Sequence, residues 1–167
     1  MELSDAYIST DGKYRYWLVR VWDSRLPLLA IIGVNPSTAD WRKNDQTILK
    51  DIGFASRLGF GGVLKLNVAA LRETDPRKCR KAFDPVGPYN TVEHLLQYIQ
   101  RFKPTKVIAA WGKNGNYFSG RCEAIAREIP NLYCLGRNND GTPRHPLMLP
   151  YSTQVEPFTL INNERKR

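Results

Sequence analysis

The side chains best suited to chemistry gather after four apolar runs. Residues 26–34 lead into Asn35-Pro36-Ser37-Thr38-Ala39-Asp40-Trp41, and residues 63–68 carry Asn67 near their end. Residues 106–111 lead through Trp111 into Gly112-Lys113-Asn114, and residues 132–135 into a polar stretch, 136–146, that holds Arg137, Arg144 and His145. As a neutral or charged donor, His145 can stabilise an anion developing on a leaving group; a satisfied loop histidine fits the sequence equally well. Asp40 and Asp45 can supply a general base or hold a water, with helix capping the rival role for Asp45. Trp41 and Trp111 offer faces on which a base can stack, with core packing the rival for Trp111. Asn-Pro-Ser is also ordinary turn chemistry. No His-plus-carboxylate spacing of the metal-ligand kind occurs, so neither metal nor other cofactor is expected. Walker, GxGxxG and GxSxG motifs are absent, which argues against NTPase, dinucleotide and serine-hydrolase chemistry.

These residues need strands and helices to position them. Residues 14–22 are aromatic and β-branched and read as a strand, and Asp23-Ser24-Arg25 turns the chain into the 26–34 run, a strand buried on both faces. Asn44 or Asp45 can cap a helix whose apolar face is Ile48, Leu49, Ile52, Ala55 and Leu58. Glycines 59, 61 and 62 stop it before the next strand. Asp75-Pro76 opens a short helix through Phe83, Asn90 with Glu93 opens another through Phe102, and a third runs from about Tyr117 to Ile129, before Pro130. His94 falls inside the second of these as a surface or packing residue. Strands alternating with helices imply βαβ units. The expected architecture is one α/β domain over residues 1–167: three αβα layers, a central, mainly parallel sheet of about four strands, and an N-terminal strand pair. In such sheets, ligands bind beyond the carboxyl ends of the strands, where the four polar loops would converge.

Composition narrows the partners. At 167 residues, 42% hydrophobic and 25% charged, the chain suits one packed domain. No run approaches the roughly 18–20 apolar residues of a membrane span, and Met1-Glu2-Leu3-Ser4-Asp5 lacks the order of a signal peptide. Twenty-five Lys and Arg against sixteen Asp and Glu give +9, which suits a polyanionic partner, most simply nucleic acid. Cys79, Cys122 and Cys134 are odd in number and form no CxxC pair, as expected of a reducing cytoplasm. A monomer away from membranes is expected, and residues 162–167 read as a loose tail.

The order of motifs resembles the uracil-DNA glycosylase superfamily. Gly33-Val34-Asn35-Pro36-Ser37 resembles the Gly-Ile-Asn-Pro-Gly first motif of its mismatch-specific branch, with Ser37 in place of the last glycine. Gly62-Val63-Leu64-Lys65-Leu66-Asn67 is similar to the strand ending in a base-reading asparagine, and Val107-Ile108-Ala109-Ala110-Trp111-Gly112 to a later Trp-Gly strand end. His145-Pro146 is similar to the start of the His-Pro-Ser motif, with Leu147 where serine stands, and no clear intercalating loop follows. The pattern also resembles an uncharacterised family, often phage- and bacteria-associated, with an Asn-Pro-Ser-Thr-Ala-Asp signature.

The resemblance implies hydrolysis of an N-glycosidic bond in DNA, with the target nucleotide swung out of the stack. By that analogy Asn35 positions the attacking water, Asn67 hydrogen-bonds the base edge and His145 stabilises the departing base. Asp40 is the candidate carboxylate for activating water or stabilising the sugar cation. Pro36, Ser37, Trp41 and Trp111 would surround the base, while Arg42, Lys43, Lys113, Arg137 and Arg144 hold phosphates. Ser37 and the long polar loop favour a modified pyrimidine over uracil; a phage-modified cytosine or thymine would make the protein a defence factor. Two other readings remain open on the sequence: an enzyme acting on free nucleosides or nucleotides, and a non-catalytic nucleic-acid-binding module.

Overall fold

The 26–34 apolar run forms the middle of the sheet in the computed structural model, which describes residues 1–160; the 162–167 segment lies outside the described residues. Its strand, β3 (Leu28–Gly33), is parallel to β4 (Gly62–Asn67) on one side and to β5 (Lys106–Ala109) on the other. β6 (Leu132–Cys134) extends the parallel set beyond β5. On the other flank β2 (Arg15–Val21) pairs antiparallel with β4, and β1 (Leu3–Ile8) pairs antiparallel with β2. A two-residue strand, β7 (Glu156–Pro157), closes the far edge antiparallel to β6, giving the order β1-β2-β4-β3-β5-β6-β7. The fold is therefore mixed α/β with a mostly parallel centre. The N-terminal strand pair does not stand apart but continues the same sheet, because β2 hydrogen-bonds to β4 and not to the strand that follows it in sequence.

Side chains alternate along a strand, so each central strand serves two cores. Ala30, Ile32, Leu64, Leu66, Val107 and Ala109 pack with α3 (Val92–Phe102) and α4 (Ser119–Glu128) through Leu95, Tyr98, Cys122 and Ile125. Leu29, Ile31, Val63 and Ile108 pack with Phe54 and Ala55 of α1 (Gln46–Arg57). Lys65 and Asn67 share the parity of Val63, which turns them toward the α1 side as well.

Helix boundaries depart from the sequence reading in instructive ways. Asp45 caps α1, accepting from the Ile48 amide at 2.9 Å, but the buried face is Ile48, Asp51, Phe54 and Ala55. Leu49 and Leu58, expected inside, are exposed. A charge at Asp51 masked the true stripe, since it is buried only by virtue of its partner across the interface. α2 (Pro76–Lys81) stops before Phe83, which projects into solvent. Thr91, not Asn90, caps α3, and His94 completes the capping box that was expected of Glu93. Asn90 is instead buried, its Nδ2 donating to the carbonyls of Asn67 and Val68 at 3.1 and 3.3 Å. α4 begins at Ser119, after a 3-10 segment Lys113–Phe118. No helix among the described residues is long and apolar enough to cross a membrane.

Candidate functional site

The carboxyl ends of β3 and β4 stop side by side, with Gly33 opposite Asn67. A Cβ on Gly33 would stand 3.0 Å from Asn67 Oδ1 and equally close to the end of the Lys65 side chain. Glycine there leaves room for both side chains to lie over the strand. Beyond them opens a small cavity of about 50 Å³, bounded by Arg15, Asn35, Pro36, Ser37, Asp45, Thr47, Lys65, Asn67 and His145 among others. At roughly 10–15 Å³ per water, it holds a few water molecules. A nucleobase enters only if the rim widens.

Asn67 is the most informative residue of this cavity. It is 1% exposed, and neither Oδ1 nor Nδ2 has a hydrogen-bond partner among the described residues. Buried polar groups are nearly always paired, so an amide with both its donor and its acceptor unpartnered at a cavity wall is arranged for something that arrives. Asn35 is used differently. Its Nδ2 donates to the Glu73 carbonyl at 2.6 Å and to the Pro36 carbonyl at 3.2 Å, tying the segment after β4 to the first motif. The Glu73 amide answers with a bond to the Pro36 carbonyl at 3.0 Å. The Asn35 Oδ1 is the atom left over to accept from a water.

His145 precedes a 3-10 turn, Pro146–Met148, and its Nδ1 accepts from the Leu147 amide at 3.1 Å. That bond leaves the proton of the neutral ring on Nε2. Burial, aided by the nearby Lys65 charge, pushes the imidazole pKa down to about 4. His145 is thus a neutral donor at physiological pH.

The charges beneath the cavity were not anticipated. Lys65 Nζ sits 2.9 Å from Asp51 Oδ2, the two side chains 3% and 0% exposed. Burial raises the Asp51 pKa against the pull of Lys65. Arg15, completely buried, donates through a terminal nitrogen to the Ala39 carbonyl at 3.0 Å, while its Nε has no partner among the described residues. Burial lowers its pKa to about 10, which leaves it a cation. Each carried a sequence signal as a charge out of place: Lys65 within an apolar strand, Asp51 on the apolar side of a helix, Arg15 in an aromatic strand.

Of the residues expected at the site, Asn35, Pro36, Ser37, Asn67 and His145 come together around this cavity, and Asp45 joins them. Asp40 does not. Its carboxylate is spent on the amides of Arg42 and Lys43 at 2.8 and 2.7 Å, an internal loop closure that also lowers its pKa. Trp41 is exposed and stacked under the Arg42 guanidinium, 4.0 Å from the ring centre, away from the cavity. Trp111 is buried against Phe158 and borders a separate, larger hollow of about 210 Å³, with Asn116, Asp140 and Arg137. The third of the four loops therefore leads elsewhere. Arg137 is committed to the carbonyls of Gly141 and Thr159 and to the Phe158 ring. Arg42, Lys43, Lys113 and Arg144 are exposed. The segment after His145 is a short 3-10 turn whose Leu147 and Met148 are exposed.

Residues 15–147 match the family described as protein of unknown function (DUF1643), and the chain belongs to that family. No curated protein matches it. Among solved structures, an alpha/beta hydrolase from Novosphingobium aromaticivorans DSM 12444 is similar at 19% identity, with a TM-score of 0.34. The similarity covers 80% of this chain and 44% of that one, so the chain spans less than half the length of that relative.

Proposed function

We propose that the protein is a cytoplasmic DNA glycosylase that hydrolyses the N-glycosidic bond of a swung-out, modified pyrimidine nucleotide. The observation that supports this reading is the meeting of Asn35, Asn67 and His145 around one cavity, with the Asn67 amide buried and without a partner among the described residues. An amide offers one donor and one acceptor side by side, the pattern that a pyrimidine edge answers. Helices on both faces of the sheet, the three-layer arrangement, would hold this carboxyl-end crevice rigid.

In the proposed reaction a water attacks the sugar C1′ as the C1′–N bond breaks, and the electron pair of that bond leaves with the base. Asn35 Oδ1 accepts from the water and aims it. The water's proton passes to a carboxylate, and Asp45 is better placed than Asp40: it lines the cavity and commits one oxygen to its helix cap. His145 donates from Nε2 to the oxygen on which the negative charge of the base gathers, and a proton from solvent completes the free base. A neutral imidazole does this without attracting the phosphates. The cavity must widen to admit the base.

The test is incubation of the protein with oligonucleotides carrying uracil, hydroxymethylated or glucosylated pyrimidines, followed by alkaline cleavage at abasic sites. Cleavage of at least one modified substrate, lost in Asn67→Ala and His145→Ala, is expected. No abasic product on any of them refutes the reading.

A further inference from the structure

We propose that α2 and the residue just beyond it form a docking surface for single-stranded nucleic acid, along which a strand is led to the cavity. Four of the six residues of α2 are cationic, namely Arg77, Lys78, Arg80 and Lys81, and all four side chains are exposed. Only Cys79 turns inward, fully buried, and anchors the helix. Arg77 is partly neutralised by Asp75 at 3.1 Å, and Arg80 lies 5.2 Å from the Tyr117 ring centre. Lys78 and Lys81, one helical turn apart, have no acidic partner among the described residues. Two residues on, Phe83 is 107% exposed, more open than in a reference peptide.

That exposure is built in and not a frayed end. The Ala82 amide bonds to the Cys79 carbonyl at 3.1 Å, the Asp84 carbonyl accepts from Tyr14 Oη at 2.7 Å, and the Asp84 side chain accepts from the Gly87 amide at 3.0 Å. Both flanks of Phe83 are held while its ring stands in water. Cations that track phosphates beside an exposed ring that stacks on a base are the two components of a single-strand platform. In a duplex the base faces are already stacked and a phenyl ring has no partner. The surface also adjoins the cavity: residues 72–75, which lead into α2, are bonded to the first motif through Asn35 to Glu73 at 2.6 Å, Arg72 to Ser37 at 3.4 Å and a Ser37–Thr74 contact at 3.4 Å. A nucleotide swings out at least cost from a strand that is already single.

The destination of the strand rests on the glycosylase reading, but the docking does not, and its test measures binding alone. The full-length protein is titrated into a labelled single strand of about 16 nucleotides, near the upper end of single-fold site sizes, at several salt concentrations. Lys78→Glu with Lys81→Glu is expected to weaken binding at least tenfold and to lower the salt slope by about 1.4, two phosphate contacts at roughly 0.7 each. Phe83→Ala is expected to weaken it about tenfold with the slope unchanged, as loss of stacking requires. Lys103→Glu with Lys106→Glu, the same charge change at the opposite end of β5, serves as the control and is expected to bind like the parent. Equal loss in both double variants would mean net charge alone and overturns the surface. So do equal affinity for the duplex of the same sequence, an unaffected Phe83→Ala, and binding to phosphatidylserine vesicles in place of the oligonucleotide. Absence of hydrolysis with binding intact would refute the reaction and leave the surface standing.

Discussion

Replacing Asn67 with leucine should stabilise the protein while abolishing the proposed excision. The two side chains share a branched four-atom skeleton, leucine being the bulkier, and Asn67 is 1% exposed, with neither amide atom paired among the described residues. An unpartnered buried polar atom costs roughly 1–3 kcal/mol, and the cavity has room for water to offset much of that for the two atoms together. Removing both, and gaining apolar contact, is therefore expected to add about 1 kcal/mol, or about 2–4 °C in Tm for a domain of this size. The Asn67 carbonyl keeps its bond from Asn90, so the backbone is undisturbed. Urea unfolding of parent and variant, with equal slopes and a higher midpoint for Asn67→Leu, is the assay. Excision should be lost in the same variant. A fall in stability of about 1 kcal/mol or more would show that the amide is held by structural partners, and the argument that it waits for a ligand would fail.

The buried Lys65–Asp51 pair gives a sharper loss. Asp51→Asn strands the Lys65 charge and should cost about 3–5 kcal/mol, whereas Asp51→Leu with Lys65→Met should recover most of it; additive losses in calorimetry would deny the pairing. His145 should not titrate between pH 5 and 8 by NMR, and should carry its proton on Nε2, since its pKa is lowered to about 4. Between the ordinary value of 6.5 and about 4 the unfolded chain takes up a proton that the folded one refuses. The contribution of His145 to stability is thus complete above that window and falls as pH drops through it; a midpoint near 6.5 in the folded protein would contradict the burial argument. Asp45→Asn keeps a good helix cap and should lower excision about 10²–10⁴-fold with stability little changed. Asp40→Asn should leave the rate alone, and the opposite pattern in a kinetic comparison would return the carboxylate role to Asp40.

Much of the fold was legible because apolar runs that end in Asn-Pro or in Asn67 read as buried strands, and the helical spacings between them as crossovers. The α/β class and the placement of polar loops at strand ends follow from local pattern, whereas the grouping of Asn35, Asn67 and His145 came only from the resemblance. The sequence could not reveal which loops share a hollow. Trp111 sits at a strand end as Asn35 does, yet it shares the face of Val107 and Ala109 and packs beside Phe158 at a different hollow. Nor could it separate Asp40 from Asp45, five residues apart, because that choice depends on which carboxylate the loop consumes for its own amides. Lys65, Asp51 and Arg15 read as misplaced charges until β4, α1 and β2 were packed together, since a buried charge is tolerable only beside a partner that the chain brings from far away in sequence. Local chemistry decided the elements and the residue types at their ends; only long-range packing decided which of those ends face one another.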